Sequence, residues 1–565
     1  MFGPLERVLG KMFRPYTAVL MEWKPGTILR RLFDPERGGR GHLYSRWIFL
    51  RALGLIYFSA FYSLVFQIRG LIGPNGILPA GEYLHSVAEQ AGAARYWYAP
   101  TMLWISSGPH MLTALCWAGM LASLLLAANL WPRGMLAVCF AAFLSFVAAA
   151  GEFSGYQSDS MLLEAGFISL FFAPPGFRPG LGAAHPPSRA SRMLLVWECF
   201  RIYFESGVAK IISGDPQWRH FTAMDEYYQN GPLPTWIGWY AQQLPHWWHA
   251  FTAFLTLTVE LALVWMMFLW RPLRIAIFFV VSALQIGIAL TANYTFLNYL
   301  VFSLGIILLD DDFWTRFVPP LRRRRATSDS SGAVKALDGM TRRQAAKNGG
   351  SGMSASLRAQ IAPIKLALKA VMLSWLFFAS TAELIWMLKP IPFPTTPVAI
   401  LQPFRIADRY GLFASMTSGR YEIEFQGSND GRTWLPYPFR YKPQDPAKAP
   451  GIYAPYQPRF DWNLWFASLS SWRSDPITVR TEERLLANDR DVLELFAGNP
   501  FPKAPPLRIR AVIWEYWFTT KEQRKQSGLW WRRQMLGLYA PVLERNAGGG
   551  FTAVQLPTAF PTPQK

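Results

Sequence analysis

Residues 193–212 have the length and apolar content of a membrane-spanning helix, yet they carry four ionisable side chains: Glu198, Arg201, Glu205 and Lys210. One such side chain at mid-membrane costs about 2.5–3.5 kcal/mol, so four unpaired ones would cost about 10 kcal/mol. Glu198, Arg201 and Glu205 follow an i, i+3, i+7 spacing and share one helical face. We therefore predict a helix inside a bundle, with its charges paired there.

Apolar segments of similar length recur along the 565 residues, which are 51% hydrophobic and 16% charged. Most approach the ~20 residues that a helix needs to cross a bilayer. The fourth and eighth segments are short, so tilted, paired or re-entrant arrangements remain open for them. The nine candidate spans are 47–68, 111–131, 134–152, 160–175, 193–213, 250–270, 273–292, 294–310 and 365–388.

The net charge of +20 is concentrated in two places, with nine Lys/Arg in residues 1–46 and ten in the loop 311–364. Such clusters beside spans are typical of cytoplasmic segments, and no basic stripe with base-stacking aromatics indicates nucleic acid. We predict a basic cytoplasmic N-terminal segment, a transmembrane bundle over 47–310, a disordered cytoplasmic loop over 311–364 and a last span over 365–388. Nine crossings then put the C-terminal region on the non-cytoplasmic side.

A soluble domain is predicted over residues 389–545, after a proline-rich linker. Residues 421–425 alternate with period two, Ser428 to Gly431 has the composition of a turn, and 432–441 supplies a return strand. Residues 482–497 look helical. The fold class is thus an α-helical polytopic membrane bundle followed by a strand-rich α+β domain with a β-sandwich-like part, and residues 546–565 are expected to form a flexible tail.

The loop 214–249 follows the charged helix and is dense in tryptophan and tyrosine, as is the C-terminal domain. The predicted topology puts both on the same side. Exposed aromatic side chains of this density would suit the binding of a client protein that has not yet buried its own apolar surface. Alternatively, the two regions cover each other or rest on the membrane interface, and both interpretations stay open.

The buried charges need partners, and acidic residues in other spans can supply them. Glu164, Glu260 and Glu383 lie within predicted spans, and Arg201 and Lys210 are the expected counter-charges, although sequence does not give the pairing. We define the intramembrane polar cluster as Glu198, Arg201, Glu205, Lys210 and Glu260. Such a cluster either holds helices together or forms a proton or substrate path, as in a transporter.

Three groups of motifs begin with Phe200-Arg201-Ile202 and Gly207-Val208-Ala209-Lys210 and end with Trp530-Trp531-Arg532-Arg533. In this order they resemble the lipase maturation factor family, although Glu205 stands where the family has a small residue. The motif residues of the loop are Gly214, Asp215, Trp218, Arg219, Asp225, Tyr228, Pro232 and Pro234. Those of the C-terminal domain are Asn429, Asp430, Gly431, Lys442, Pro443, Arg459, Asp461 and Trp462.

The resemblance implies a membrane-bound factor that assists secreted lipases on the non-cytoplasmic side, without covalent chemistry and without a cofactor. The loop 214–249 and the C-terminal domain would face the client, and membrane lipid would surround the bundle. In eukaryotic relatives the membrane is that of the endoplasmic reticulum, and in a bacterium it would be the cytoplasmic membrane. The client and the oligomeric state stay open.

A second, shorter resemblance concerns Lys210. The Gly207-Val208-Ala209-Lys210 turn is similar to one in bundles related to vitamin K-dependent γ-carboxylase, which implies an enzyme with Lys210 as a base, as a buried lysine can be. The structural alternative is a lysine that reaches toward the helix end or pairs with Glu205 or Asp215.

Other catalytic or metal chemistry has little support in the sequence. His246 and His249 have an H-x-x-H spacing and His220 is near, but no third ligand accompanies them at a settled spacing, and Trp247 and Trp248 indicate a membrane-interface belt. We therefore predict no metal site. Neither a G-x-S-x-G nor a phosphate-binding glycine loop is present.

Overall fold

The computed structural model describes residues 30–34, 40–317, 352–546 and 549–557. Most of the basic segment 1–46 and residues 318–351 of the basic loop lie outside these ranges, so the predictions made for them are not examined by the structure. Within the described residues, nine helices form a bundle, and a domain built on one antiparallel sheet packs against one end of it.

The bundle helices follow the predicted apolar segments closely. Several begin with proline at the first or second position, where its missing N–H costs nothing, and Ser188 caps the charged helix by accepting a hydrogen bond from the Ser191 N–H. The helices are α1 Leu43–Val65, α2 Pro109–Ala127, α3 Pro132–Val147, α4 Gln157–Phe172, α5 Arg189–Ile212, α6 His246–Leu261, α7 Arg271–Thr291, α8 Leu297–Gly305 and α9 Gly352–Leu388.

Five of the described helices are long and apolar enough to cross a membrane. They are Leu43–Val65, Pro109–Ala127, His246–Phe268, Arg271–Thr291 and Ala362–Leu388, where the third includes the 3-10 turn Leu263–Phe268 that follows α6. The 24-residue α5 has the length but carries the charges, while α4 and α8 are short, as their sequences indicate. A total of nine crossings stays a prediction.

The loops at one end of the bundle all contact the C-terminal domain. Ser59 near the end of α1 donates to the Pro455 carbonyl at 2.8 Å, and Asn293 after α7 donates to the Gly451 carbonyl at 2.9 Å. At the opposite end, Ser45 at the start of α1 donates to the Leu309 carbonyl at 2.6 Å. The helices therefore alternate in direction, and the C-terminal domain lies at the end away from residues 40–46.

Shorter helices lie in the loops of the bundle and in the C-terminal domain. In the loops and the linker they span Ile68–Ile72, Ala80–Ala91, Arg95–Tyr98, Pro216–Arg219, Tyr227–Asn230, Trp236–Gln242, Asp311–Trp314 and Thr396–Ala399. In the domain they are α10 Arg459–Ala467, α11 Pro476–Leu486, α12 Arg490–Leu493 and α13 Lys521–Ser527.

The C-terminal sheet is centred on one long strand. Its strands are β1 Arg420–Ser428, β2 Leu435–Pro436, β3 Arg508–Phe518, β4 Trp531–Leu538, β5 Val542–Arg545 and β6 Phe551–Gln555. The order is β2-β1-β3-β5-β6, with β4 also paired to β3, and every pairing is antiparallel. The helices α10 and α11 pack on this sheet.

Several predictions for the C-terminal half are corrected by the sheet. The strand β1 pairs along its whole length with β3, about 80 residues later, and the predicted return strand over 432–441 shrinks to Leu435–Pro436. The described residues form one sheet covered by helices rather than a sandwich. The predicted helix over 482–497 is interrupted, since α11 ends at Leu486 and Asn488 has a φ of +58°.

Two segments expected to be irregular contain regular structure. Within the tail 546–565, β6 pairs with β5, which places Phe551–Gln555 at the edge of the sheet. The last bundle helix begins at Gly352, inside the segment expected to be a disordered loop over 311–364. The strand forms because it pairs with β5, and the helix extends because it continues the last span toward its N-terminus. Composition alone reveals neither.

Candidate functional site

The buried charges of α5 surround a segment of the C-terminal half, residues 408–416, that runs along this helix. Arg201 donates through Nη1 to the Asp408 carbonyl at 2.8 Å, and Glu205 accepts through Oε2 from the Tyr410 N–H at 2.6 Å. An irregular segment buried in a bundle must satisfy its backbone groups, and α5 supplies polar side chains for them. Glu205, the departure from the family pattern, thus has a defined structural partner.

Arg201 is fully buried and, of the predicted polar cluster, forms an ion pair only with Glu205, whereas Lys210 and Glu260 pair separately. Its Nη2 contacts the Glu164 carboxylate, its Nη1 lies 3.7 Å from Glu205 Oε1, and Tyr410 donates its hydroxyl to Glu164 Oε2 at 2.5 Å. Glu198, predicted to belong to the same cluster, is buried but forms neither an ion pair nor a well-formed hydrogen bond among the described residues. The prediction that Arg201 faces the interior and meets an acidic residue is confirmed.

Lys210 pairs with Glu260 of α6 rather than with Glu205 or Asp215. Its ammonium lies 2.9 Å from Glu260 Oε2 and donates to the Leu412 carbonyl at 2.9 Å and to the Ser206 carbonyl at 3.4 Å. It also lies 5.1 Å from the centre of the Trp218 ring. A lysine ammonium has three N–H donors, and in Lys210 each has an acceptor.

The expectation that Glu383 pairs with Arg201 or Lys210 is wrong. Glu383 of α9 accepts through Oε2 from Arg409 Nη2 at 3.0 Å. Arg409, like Tyr410, belongs to the segment 408–416. Glu383 therefore joins Glu164 and Glu205 in attaching the C-terminal half to the bundle.

Several motif residues of the loop 214–249 join the loop to the segment 408–416. Asp215 caps the helix Pro216–Arg219 through its Oδ1 and accepts from the Met416 N–H through Oδ2 at 2.6 Å. Trp218 donates its indole N–H to the Phe413 carbonyl at 3.0 Å. Gly214 has a φ of +72°, which favours glycine, and Arg219 ends the short helix.

The remaining loop motifs also have structural contacts. Asp225 lies 3.0 Å from His246 Nδ1, and the ring of Tyr228 packs on that of His249 at 5.6 Å. The carbonyl of Pro232 accepts from Arg420 Nη2 at 3.0 Å, and Pro234 forms an isolated bridge with Ala292.

In the C-terminal domain, the first motif forms a turn. Asp430 Oδ1 accepts from the backbone N–H groups of Arg432 and Thr433 at 2.8 and 2.7 Å, and these bonds hold its pKa below the usual value. Asn429 accepts from the Leu507 N–H at 3.2 Å, and Gly431 has a φ of +70°.

The second motif surrounds Lys442 and Asp461. Lys442 pairs with Glu422 at 2.9 Å, and Asp461 Oδ1 accepts from the N–H groups of Tyr441 and Lys442 at 3.2 and 3.1 Å. Burial raises the pKa of Asp461 to about 6. Pro443 follows at the rim of a small surface depression. These contacts join the segment at Lys442 to β1 and to α10.

Arg459 and Trp462 attach α10 to the bundle. Arg459 donates through Nη1 and Nη2 to the two carboxylate oxygens of Asp159 at 2.7 and 2.8 Å, and through Nη1 to the Phe153 carbonyl at 2.7 Å. Trp462 packs edge-on against Tyr156 with ring centres 5.0 Å apart. These motif residues therefore lie at the boundary between bundle and domain.

Two further attachment residues were missed by the sequence analysis. Arg420, fully buried at the start of β1, donates to the carbonyls of Gln229, Gly231 and Pro232. Asn293 donates to Gly451 and accepts from the Tyr453 N–H at 2.6 Å. The sequence does contain a signal for each of them, since Arg420 is a charged residue at the start of an alternating strand and Asn293 lies between two predicted spans. Neither signal indicates a partner.

A large cavity adjoins Lys210 and Glu260. It has a volume of about 660 Å³ and is lined by residues of α5, α6, α7 and α8 together with the loop 214–249 and Phe413. Most of its walls are apolar. The polar side chains on its wall include the Lys210–Glu260 pair and a chain in which Asn298 donates to Gln285 and Gln285 donates to Tyr203.

Some aromatic residues of the loop and of the domain cover each other. Trp239 is buried against Trp530, with ring centres 5.3 Å apart, and Arg524 lies over the Trp530 ring at 3.5 Å. Trp236 and Tyr240 beside them remain 43% and 46% exposed. The loop and the domain thus cover each other at Trp530, and an aromatic surface beside this contact stays exposed.

No group of three His, Cys, Asp or Glu side chains in the described part of the chain is arranged to hold a metal ion. His249 Nε2 lies 2.9 Å from the Leu244 carbonyl, and His246 is engaged by Asp225. The histidines of the H-x-x-H motif therefore have protein partners on different sides.

Comparison with known proteins gives a consistent result over both halves. A model of the lipase maturation factor transmembrane domain matches residues 44–316, and a model of the lipase maturation factor C-terminal domain matches residues 406–541. The chain is 30% identical to lipase maturation factor 2 of Gallus gallus, over 88% of this chain and 81% of the relative. It is also 30% identical to lipase maturation factor 1 of Bos taurus, over 92% of each. No solved structure matches the chain.

Proposed function

Because the chain belongs to the lipase maturation factor family, we propose that it assists the folding of secreted lipases from the non-cytoplasmic side of a membrane. The observation that carries the proposal is the fixed attachment of the C-terminal domain to one end of the bundle through Arg420, Asn293 and Arg459. A domain held in this way would present one continuous surface to a client beside the membrane.

The distribution of charge supports the proposed side of the membrane. Residues 40–46 and 311–317, which are described parts of the Lys/Arg-rich segments, lie at the bundle end away from the C-terminal domain. The positive-inside rule favours the cytoplasm for such segments. The C-terminal domain would then lie in the lumen of the endoplasmic reticulum, or outside the cytoplasmic membrane of a bacterium.

The exposed aromatic surface formed by Trp236 and Tyr240 is the proposed client-facing part. It lies beside Trp530 and Arg524 of the domain, and exposed apolar surface next to polar groups is typical of protein-binding sites. The bundle end at Trp270 offers a matched control, since this tryptophan is 65% exposed but lies between α6 and α7 at the opposite end.

The test measures the activity and the amount of a secreted lipase in cells that lack their own maturation factor and express this chain. Wild type should restore active secreted lipase. Trp236→Ala with Tyr240→Ala should lower the activity per lipase molecule several-fold, whereas Trp270→Ala should leave it unchanged. An equal effect of both variants at equal membrane-protein levels contradicts the proposed surface, and absence of rescue by wild type contradicts the function.

A second candidate is an enzyme that uses Lys210 as a base, favoured by the position of Lys210 on the cavity wall. The contacts of Lys210 favour a structural role, because its ammonium donates to Glu260 and to two backbone carbonyls.

A further inference from the structure

The large cavity opens toward the side of the bundle between α6 and α7. Its inner wall consists of buried residues such as Val259, Tyr203 and Val301, whereas Leu255 on α6 and Gly287 on α7 line it and are exposed. Both helices have the length and hydropathy of membrane spans. The exposed rim of the cavity therefore faces the hydrocarbon region of a bilayer.

Small residues keep the opening free. Ala283 and Gly287 lie one turn apart on α7, and both line the cavity and are exposed. A Cβ atom added at Gly287 would meet no atom within 4 Å. A larger side chain at either position would have room to lie across the opening.

The charged and amide side chains of the wall have partners within the protein. Glu260 holds Lys210, and Gln285 accepts from Asn298 at 2.7 Å while it donates to Tyr203 at 3.0 Å. A charged ligand would therefore have to displace internal bonds, whereas a hydrocarbon chain only needs the apolar walls. The volume of about 660 Å³ lies within the ~300–1,000 Å³ typical of small-molecule sites.

We propose that this cavity binds an acyl chain of a bilayer phospholipid, which enters between α6 and α7 past Ala283 and Gly287 and extends to Val259 and Val301. Apolar cavities of this kind hold apolar molecules rather than ordered water. The chain would complete the packing of α6 and α7 against α5, next to the Lys210–Glu260 pair. The inference stands on the cavity and does not depend on the lipase client.

The experiment uses the full chain in nanodiscs that contain phosphatidylcholine with a photoreactive diazirine in the middle of one acyl chain. After irradiation, peptide mass spectrometry locates the labelled residues. We expect label on Val259 or Val301, which are buried and within reach only of a chain inside the cavity. Label confined to the outer face of α7, at residues such as Phe279 and Ile286, would overturn the proposal.

Variants make the result specific. Gly287→Leu and, separately, Ala283→Leu should lower the internal label at least five-fold and leave label on the outer face unchanged. Ile286→Phe adds bulk to the exposed face of α7 outside the cavity and should have no effect. Internal label that persists in both narrowing variants contradicts entry between α6 and α7.

A parallel sample with a photoreactive free fatty acid distinguishes the source of the chain. Internal label from the fatty acid with none from phosphatidylcholine would show a free acid as the occupant and overturn the phospholipid. Thermal unfolding of each variant in the same nanodiscs serves as the control for folding.

Discussion

Arg459 and Asp159 lie 300 residues apart in the chain and form a buried bidentate ion pair, with N–O distances of 2.7 and 2.8 Å. Asp159 lies in the first turn of α4 and Arg459 in the first turn of α10, so the pair joins the bundle to the C-terminal domain. Both side chains are fully buried. Removal of one partner leaves an uncompensated charge, which makes this pair a sensitive point of the interface.

We expect Arg459→Ala to destabilise the folded protein by about 3–5 kcal/mol, because the Asp159 carboxylate would stay buried without a counter-charge. Thermal unfolding of the purified full chain in detergent measures the change. Arg490→Ala is the control, since Arg490 and Glu494 form an ion pair on the surface and such pairs contribute about 0–1 kcal/mol. Similar losses in both variants would contradict the structural role of Arg459.

Lys210 can be tested together with its partner. Lys210→Met should lower stability and lipase maturation in parallel, since Glu260 would remain buried without a counter-charge. The double variant Lys210→Met with Glu260→Met removes both charges. It should regain a large part of the lost stability and of the lost lipase maturation. Lipase secretion and the amount of folded membrane protein are measured for each variant. A double variant that folds as wild type but matures no lipase would favour the catalytic role.

The topology can be tested with single cysteines. Cys116, Cys139 and Cys199 are buried and are first replaced by alanine. New cysteines at Ser330 in the basic loop and at Ser527, which is exposed at the end of α13, should then react with a membrane-impermeant maleimide from opposite sides. Reaction of both from one side would exclude the proposed orientation.

Asp461 should give the C-terminal domain a pH-dependent stability. Burial raises its pKa from 3.8 to about 6, so the folded state binds the proton more tightly than the unfolded state. The stability from this proton is fully present below about pH 4 and is lost as pH rises through about 6. Asp461→Asn retains an oxygen to accept from Tyr441 and Lys442 but does not titrate.

The measurement is the difference in unfolding midpoint between wild type and Asp461→Asn, taken from pH 4 to pH 7. As pH rises, the unfolding midpoint of the variant should increase relative to that of wild type. The difference should level off above pH 6. A difference that is constant over this range would mean that Asp461 does not titrate there.

Part of the site could be predicted because it depends on local pattern. The four charges within one apolar segment required a buried helix, and α5 is that helix, with Arg201 fully buried. The partner of Lys210 could not be chosen in the same way, since Glu205, Asp215 and Glu260 were all chemically suitable. Only the packing of α6 against α5 brings Glu260 within 2.9 Å.

The sequence by itself determined the apolar helices, the charges among them, the change to a strand-containing region and the family. These properties depend on hydropathy, periodicity and motifs within short stretches of chain. The tertiary structure decided that β1 pairs with β3, that residues 408–416 lie along α5, and that Arg459 meets Asp159. The physical reason is that each partner lies about 80 to 300 residues away, where several groups could satisfy the same charge or strand edge and only the packing of the whole chain selects one.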